Sequence, residues 1–273
     1  MGWMASKPQT ARPLEPDPWV RAEVSREDVA RALLAGGMAG VVSHDRPNVI
    51  WKLSRLCEGD EDSQFGLTGV DELAFEEVLR LMAQAGGIDA DPTVRHGVVR
   101  VDPEVLIERL EWAGDHLAAA AGAGARVVLA TGHPDGPNIL YAAVGRLMEE
   151  HGAQVITPAE GRDFKHRGRR RRIDYVDRVA VMSNGVRGVH THSPHAMEMI
   201  LAADRPDMVL ADHGFAGAAI EAGVDTVSVA DVNDPALVVA EAKGRGGPVI
   251  VMDDNVEPED YWPCFQVIAS RFA

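Results

Sequence analysis

Cysteine is almost missing from this chain: Cys57 and Cys264 are the two among 273 residues. Two thiols so far apart make neither a disulfide framework nor a thiolate metal clip, and they fit a reducing cytoplasm as the expected location. Aromatic residues are scarce as well, at 5% of the chain, so packing has to rest on small aliphatic side chains. No apolar run is long enough to cross a bilayer, and the N-terminus carries no apolar signal-peptide core, so no membrane role is expected. Positive charge is the third shortage. With 27 Lys and Arg against 42 Asp and Glu the formal net charge is -15, a field that repels nucleic acid and anionic lipid. One local exception stands out, the basic run from Lys165 to Arg172.

What is present divides the chain into three parts. Residues 1–24, rich in Pro and polar residues at their start, read as a flexible leader. Residues 25–122 read as a helical region. Ser25 followed by Asp28 is a helix start, and Gly36-Gly37 is its stop. A second helix is expected from near Asp71 to Ala85, and a third from Asp102 with Pro103 in its first turn. Between the first two lies an irregular stretch, His44-Asp45-Arg46-Pro47-Asn48, of a kind that either covers a pocket or simply connects helices.

From residue 123 to 273 the texture becomes alternating strands and helices. Apolar runs at Val127–Ala130, Val155–Thr157, Val179–Met182, Met208–Ala211, Thr226–Ala230 and Val249–Met252 are separated by helical segments. Continuous Val, Ile and Ala runs of this kind imply a mainly parallel sheet buried on both faces. The expected fold class is therefore α/β, a Rossmann-like sheet flanked by helices, with the N-terminal helices packing as a cap or subdomain.

Four of these strands run into polar turns: Thr131-Gly132-His133, Asp212-His213-Gly214, Asp231-Val232-Asn233-Asp234 and Asp253-Asp254-Asn255. In an open parallel sheet such turns line the crevice at the carboxyl edge, where ligands bind. Asp, Asn and Gly also favour turns and caps for their own sake, and Asp234 before Pro235 reads as a cap. A fifth segment, His190-Thr191-His192-Ser193-Pro194, places two imidazoles on one face if extended, as a pair of metal ligands would lie. Clustered carboxylates are unfavourable without a cation or a shared proton, which points to a divalent metal ion. The expected ligands are His190, His192, Asp231 and Asp253. His133, Asp212 and His213 are the expected catalytic residues. Gly132, Gly214, Gly217 and Asn233 are the expected substrate contacts, the glycines because they let a backbone approach an anion. The glycines do not have the spacing of a dinucleotide fingerprint.

These blocks, together with Gly223–Val227, Ala230–Leu237 and Asp253–Val256, make the chain from Arg126 onward resemble a family of actinobacterial phosphatases. The resemblance implies hydrolysis of a phosphate ester, and the basic stretch Lys165–Arg172 departs from it. The residue types agree: a metal held by His and Asp activates water, and His133 can protonate the leaving alcohol or ligate the ion. The chain has no Cys-x5-Arg loop, so a covalent cysteinyl phosphate is not the obvious route. A small phosphorylated metabolite is the expected substrate. A binding module for a nucleotide or sugar phosphate, and a His/Asp lyase or isomerase, stay open as alternatives, as does assembly into a homo-oligomer.

Overall fold

Ser25 accepts the N–H of Asp28 and so opens the first helix, α1 (Arg26–Ala35). The computed structural model describes residues 17–272, and the first sixteen residues of the expected leader lie outside the described residues. Its remainder is tied to the C-terminal helix: the Gln266 side chain accepts from Ala22 N–H at 2.9 Å and donates to the carbonyls of Pro18 and Val20 at 2.6 and 2.8 Å.

The stretch read as irregular is structured. It contains β1 (Gly40–Asp45), α2 (Arg46–Cys57) and the short α3 (Glu61–Gln64). Asp45 caps α2 by accepting from Asn48 N–H, and Pro47 sits in the first turn, where its missing N–H removes no helical bond. Next come α4 (Phe75–Gly86), β2 (Val98–Val101) and α5 (Pro103–Gly122), the last capped by Asp102. β1 and β2 pair antiparallel as a small separate ribbon.

The rest of the chain is β3 (Arg126–Thr131), α6 (Asn138–Glu150), β4 (Gln154–Val155), β5 (Asp163–His166), β6 (Arg169–Val176) and β7 (Val179–Ser183). α7 (His195–Ala203), β8 (Met208–Asp212), α8 (His213–Glu221), β9 (Asp225–Asp231), α9 (Ala236–Ala242), β10 (Val249–Met252) and α10 (Trp262–Ser270) complete it. The fold is α/β, with a mainly parallel but mixed sheet ordered β10-β9-β8-β3-β7-β6-β5 and flanked by helices. β10, β9, β8, β3 and β7 run parallel, and β4 pairs with the start of β3. β5 and β6 form an antiparallel hairpin on the β7 edge, and the basic run Lys165–Arg172 falls within it.

β3, β7 and β8 are buried at nearly every position, the pattern of strands covered on both faces. α4 and α5 pack directly against β10, and one continuous buried cluster runs from Val29 to Phe272. The ends of all five parallel strands therefore lie on one edge of a rigid core.

Candidate active site

A cavity of about 340 Å³ opens at that edge. β3 contributes His133, the segment after β7 contributes His190 and His192, and the β8–α8 junction contributes His213. β9 leads to Asp231, Asn233 and Asp234, and β10 leads to Asp254. The N-terminal region supplies His44, Asn48 and Lys52 to the same wall.

Four imidazoles crowd the centre. The His190 ring centroid lies 5.0 Å from His133, 5.2 Å from His192 and 5.1 Å from His213, and His192 stacks on His213 at 5.1 Å. His190, His192 and His213 each offer a ring nitrogen, and these three nitrogens all lie within 4.8 Å of one another. His213 takes a left-handed backbone conformation, φ 45°, at the strand-to-helix turn. For a residue with a Cβ that conformation costs about 1–3 kcal/mol and is kept where the surroundings impose it.

Carboxylates surround the cluster. Asp212 is fully buried; its Oδ1 accepts from Gly132 N–H at 2.6 Å and faces His213 Nδ1 at 2.8 Å, and its Oδ2 accepts from Tyr141 at 3.1 Å. The other nitrogen of His213, Nε2, faces Asp234 Oδ2 at 3.5 Å and Asp254 Oδ2 at 3.8 Å. Asp254 Oδ1 stands 3.5 Å from His133 Nδ1, an ion-pair separation too long and poorly directed for a hydrogen bond. Asp254 Oδ2 and His133 Nδ1 are both buried without a hydrogen-bond partner. His44 Nε2 contacts Asp231 Oδ2 at 2.7 Å, and Lys52 Nζ lies 3.5 Å from Asp234.

This packing splits the histidines into two kinds. Burial, followed by the charges of His213 and His133, holds His190 down at about 4, and burial with His213 lowers His192. Both are neutral near pH 7, the form that ligates a metal. Burial also works against charge on His213, but Asp212, Asp254 and Asp234 outweigh it and raise the group to about 10. The Asp254 carboxylate raises His133, and the hydrogen bond to Asp231 raises His44. Burial and the neighbouring Asp254 raise Asp231.

The expected residues are distributed over this site as follows. His133, His190, His192, His213, Asp231 and Asn233 all line the cavity. Asp212 lies beneath it and orients His213. Asp253 does not line it: its oxygens accept from the Ser43 amide and hydroxyl and from Asn255 N–H, which fastens β1 to the end of β10. Gly132 gives its N–H to Asp212, so that amide is not free for a ligand. A Cβ on Gly214 would stand 2.2 Å from the His192 carbonyl oxygen, and one on Gly217 would stand 2.1 Å from that of Phe65. Both glycines let neighbouring chain approach α8. The donors that a metal needs are thus present, with His213 beside His190 and His192, and the unpartnered Asp254 oxygen supplies unmet negative charge facing them.

His44, Asn48 and Lys52 enter the site without having been singled out for it in the sequence, while Asp234, read there as a cap, and Asp254, neighbour of the expected ligand Asp253, line it as well. Asn48 and Lys52 stand four residues apart, on one face of α2, which is a signal only once α2 itself is seen. Asn48 Oδ1 accepts from the Asn233 amide at 2.8 Å, joining the two walls.

Comparisons with known proteins bear on what this cavity does. A family model described as Phosphatase matches residues 24–273. The curated protein Phosphatase SCO2771 of Streptomyces coelicolor is 35% identical over 248 residues, which cover 87% of this chain and 92% of that protein.

Proposed function

The chain belongs to the Phosphatase family, and we propose that it is a metal-assisted phosphomonoesterase acting on a small phosphorylated metabolite. The observation that carries the reading is the trio His190, His192 and His213 facing the buried, unpartnered oxygen of Asp254. The neutral rings of His190 and His192, a His213 ring that can give up its proton to an ion, and unmet negative charge form a donor set suited to a divalent ion such as zinc or manganese. An ion held there would polarise a phosphoryl oxygen and lower the pKa of water.

The chain's own groups do the rest. Asp212 fixes the tautomer of His213, leaving Nε2 to face the cavity. Asp254 raises His133 and so favours its protonated form, which can give a proton to the departing alkoxide. Lys52 and the amides of Asn48 and Asn233 border the same space and can hold non-bridging phosphoryl oxygens. In this reading the N-terminal region acts as a cap, because β1 and α2 close the wall opposite the strand ends. The free thiols Cys57 and Cys264 support a cytoplasmic setting.

The test is phosphate release from a panel of phosphorylated metabolites, with zinc, manganese or magnesium supplied. Release from at least one member, suppressed by chelator and restored by metal, is the expected result. His190→Ala and His192→Ala should each abolish it while the fold is retained. No release from any member with any of the metals would overturn the reading.

A further inference from the structure

The basic hairpin has no part in the scheme above, yet its position is not arbitrary. β7 runs toward the site edge, and β6 pairs with it antiparallel, with Arg172 opposite Ser183 at the end of β7. The start of β6 and the turn before it therefore lie at the carboxyl edge, next to the histidines. A groove of about 440 Å³ runs there, lined by His166, Arg167, Arg169 and Arg171, and it shares His190 and His192 with the cavity.

Strand periodicity sorts the arginines by face. Arg170 and Arg172 point one way and are neutralised, Arg170 by Asp163 at 2.7 Å and Arg172 by Asp174 at 2.8 Å. Arg169 and Arg171 alternate to the other face, opposite His166 and Phe164 of β5. Neither has a carboxylate partner among the described residues, in a chain of net charge -15. Arg171 Nη1 donates to the Arg170 carbonyl at 3.0 Å, while its Nε is buried with no partner at all. At the tip, Arg167 pairs with Asp62 at 2.8 Å, and Asp62 Oδ2 lies 3.4 Å from His192 Nδ1, so the turn is fastened to the metal-binding segment.

Unpaired guanidinium groups beside a phosphate-cleaving centre are receptors for a second anion. We propose that the groove of Arg169 and Arg171 binds a second phosphate or carboxylate of the substrate, so that the preferred substrates are bis-anionic phosphate esters. This rests on the phosphatase reading for the reaction, and the groove itself can be tested without turnover.

The experiment compares paired substrates, such as glucose 1,6-bisphosphate against glucose 1-phosphate, for the metal-loaded protein and two double variants. In Arg169→Gln/Arg171→Gln the preference in kcat/KM for the bis-anionic member falls about tenfold or more. In Arg170→Gln/Arg172→Gln, which removes the same charge from the other face, the preference stays. Thermal unfolding checks that both variants fold. Equal losses of preference in both variants, or no preference in the starting protein, would overturn the proposal. If no substrate is turned over the phosphatase reading fails by itself, and calorimetric binding of glucose 1,6-bisphosphate then decides the groove. Binding weakened selectively in the Arg169/Arg171 variant sustains it, and binding that is absent or equally weakened in both variants overturns it.

Discussion

Asp212 and His213, adjacent in the chain, are also hydrogen-bonded to each other, Oδ1 to Nδ1 at 2.8 Å, at the point where β8 turns into α8. The left-handed backbone of His213 swings its ring back over the strand end, so one residue's carboxylate holds the next residue's tautomer.

Asp212→Asn should therefore act on His213 more than on the fold. The amide can still accept from Gly132, but it no longer stabilises a proton on His213 Nδ1. Affinity for zinc or manganese should drop roughly 10–100-fold, and stability by about 1–3 kcal/mol. Titration calorimetry and urea unfolding measure the two effects. Unchanged metal affinity would mean that His213 is not a ligand.

A glycine at the same junction gives a sharper mechanical test. In Gly214→Ala the new Cβ meets the His192 carbonyl oxygen at 2.2 Å and the Ser193 carbonyl carbon at 2.4 Å, both backbone atoms that cannot simply rotate away. The expected loss is about 1–3 kcal/mol, with a fall in metal affinity as the His192 segment shifts. Gly122→Ala at the end of α5, where nothing lies within 4 Å, should change stability by no more than about 0.5 kcal/mol. Equal urea midpoints for the two variants would contradict the close packing described for Gly214.

The strand ends were legible in the sequence because each apolar run there stops at a residue type with chemistry, as at Thr131-Gly132-His133 and Ala211-Asp212-His213. Topology then does the assembling, since parallel strands must present those ends together. Which carboxylate of a pair faces inward is a matter of one residue's rotation about the chain. Asp254 turns to the cavity, while Asp253 turns to Ser43, and nothing in Asp253-Asp254-Asn255 distinguishes them. His44, Asn48 and Lys52 were hidden for another reason. They reach the site from a region more than seventy residues before β3, by tertiary packing that no local pattern encodes. The β5–β6 hairpin was hidden by composition, because strands made of arginine lack the apolar alternation that marks a strand.

The His44–Asp231 pair makes stability depend on pH in a definite direction. Its hydrogen bond raises the folded pKa of His44 above its ordinary value of about 6.5. The contribution is then complete at pH values below about 6.5, where His44 is charged in both states, and is lost as pH rises through the raised value. His44→Gln should reduce unfolding free energy by about 1 kcal/mol near pH 7, where Asp231, itself raised to about 7, still carries charge, and by less at alkaline pH. Urea unfolding of both proteins across this range measures the gap. A gap that widens with pH would show that the pair stabilises by another route.

The high pKa of His213 should also appear in metal binding itself. At about 10 the ring is protonated in the metal-free protein near pH 8, and since Nδ1 is held by Asp212, Nε2 carries the proton an ion must displace. His190, held at about 4, is already neutral and has none to release. Uptake of one divalent ion near pH 8 should therefore liberate about one proton, and affinity should weaken as pH falls. Titration calorimetry in two buffers of different ionisation enthalpy counts that proton directly. In Asp212→Asn the count should fall, because His213 then loses the strongest of the carboxylates that raise it. A count of zero in the unaltered protein would place the ion away from His213 Nε2.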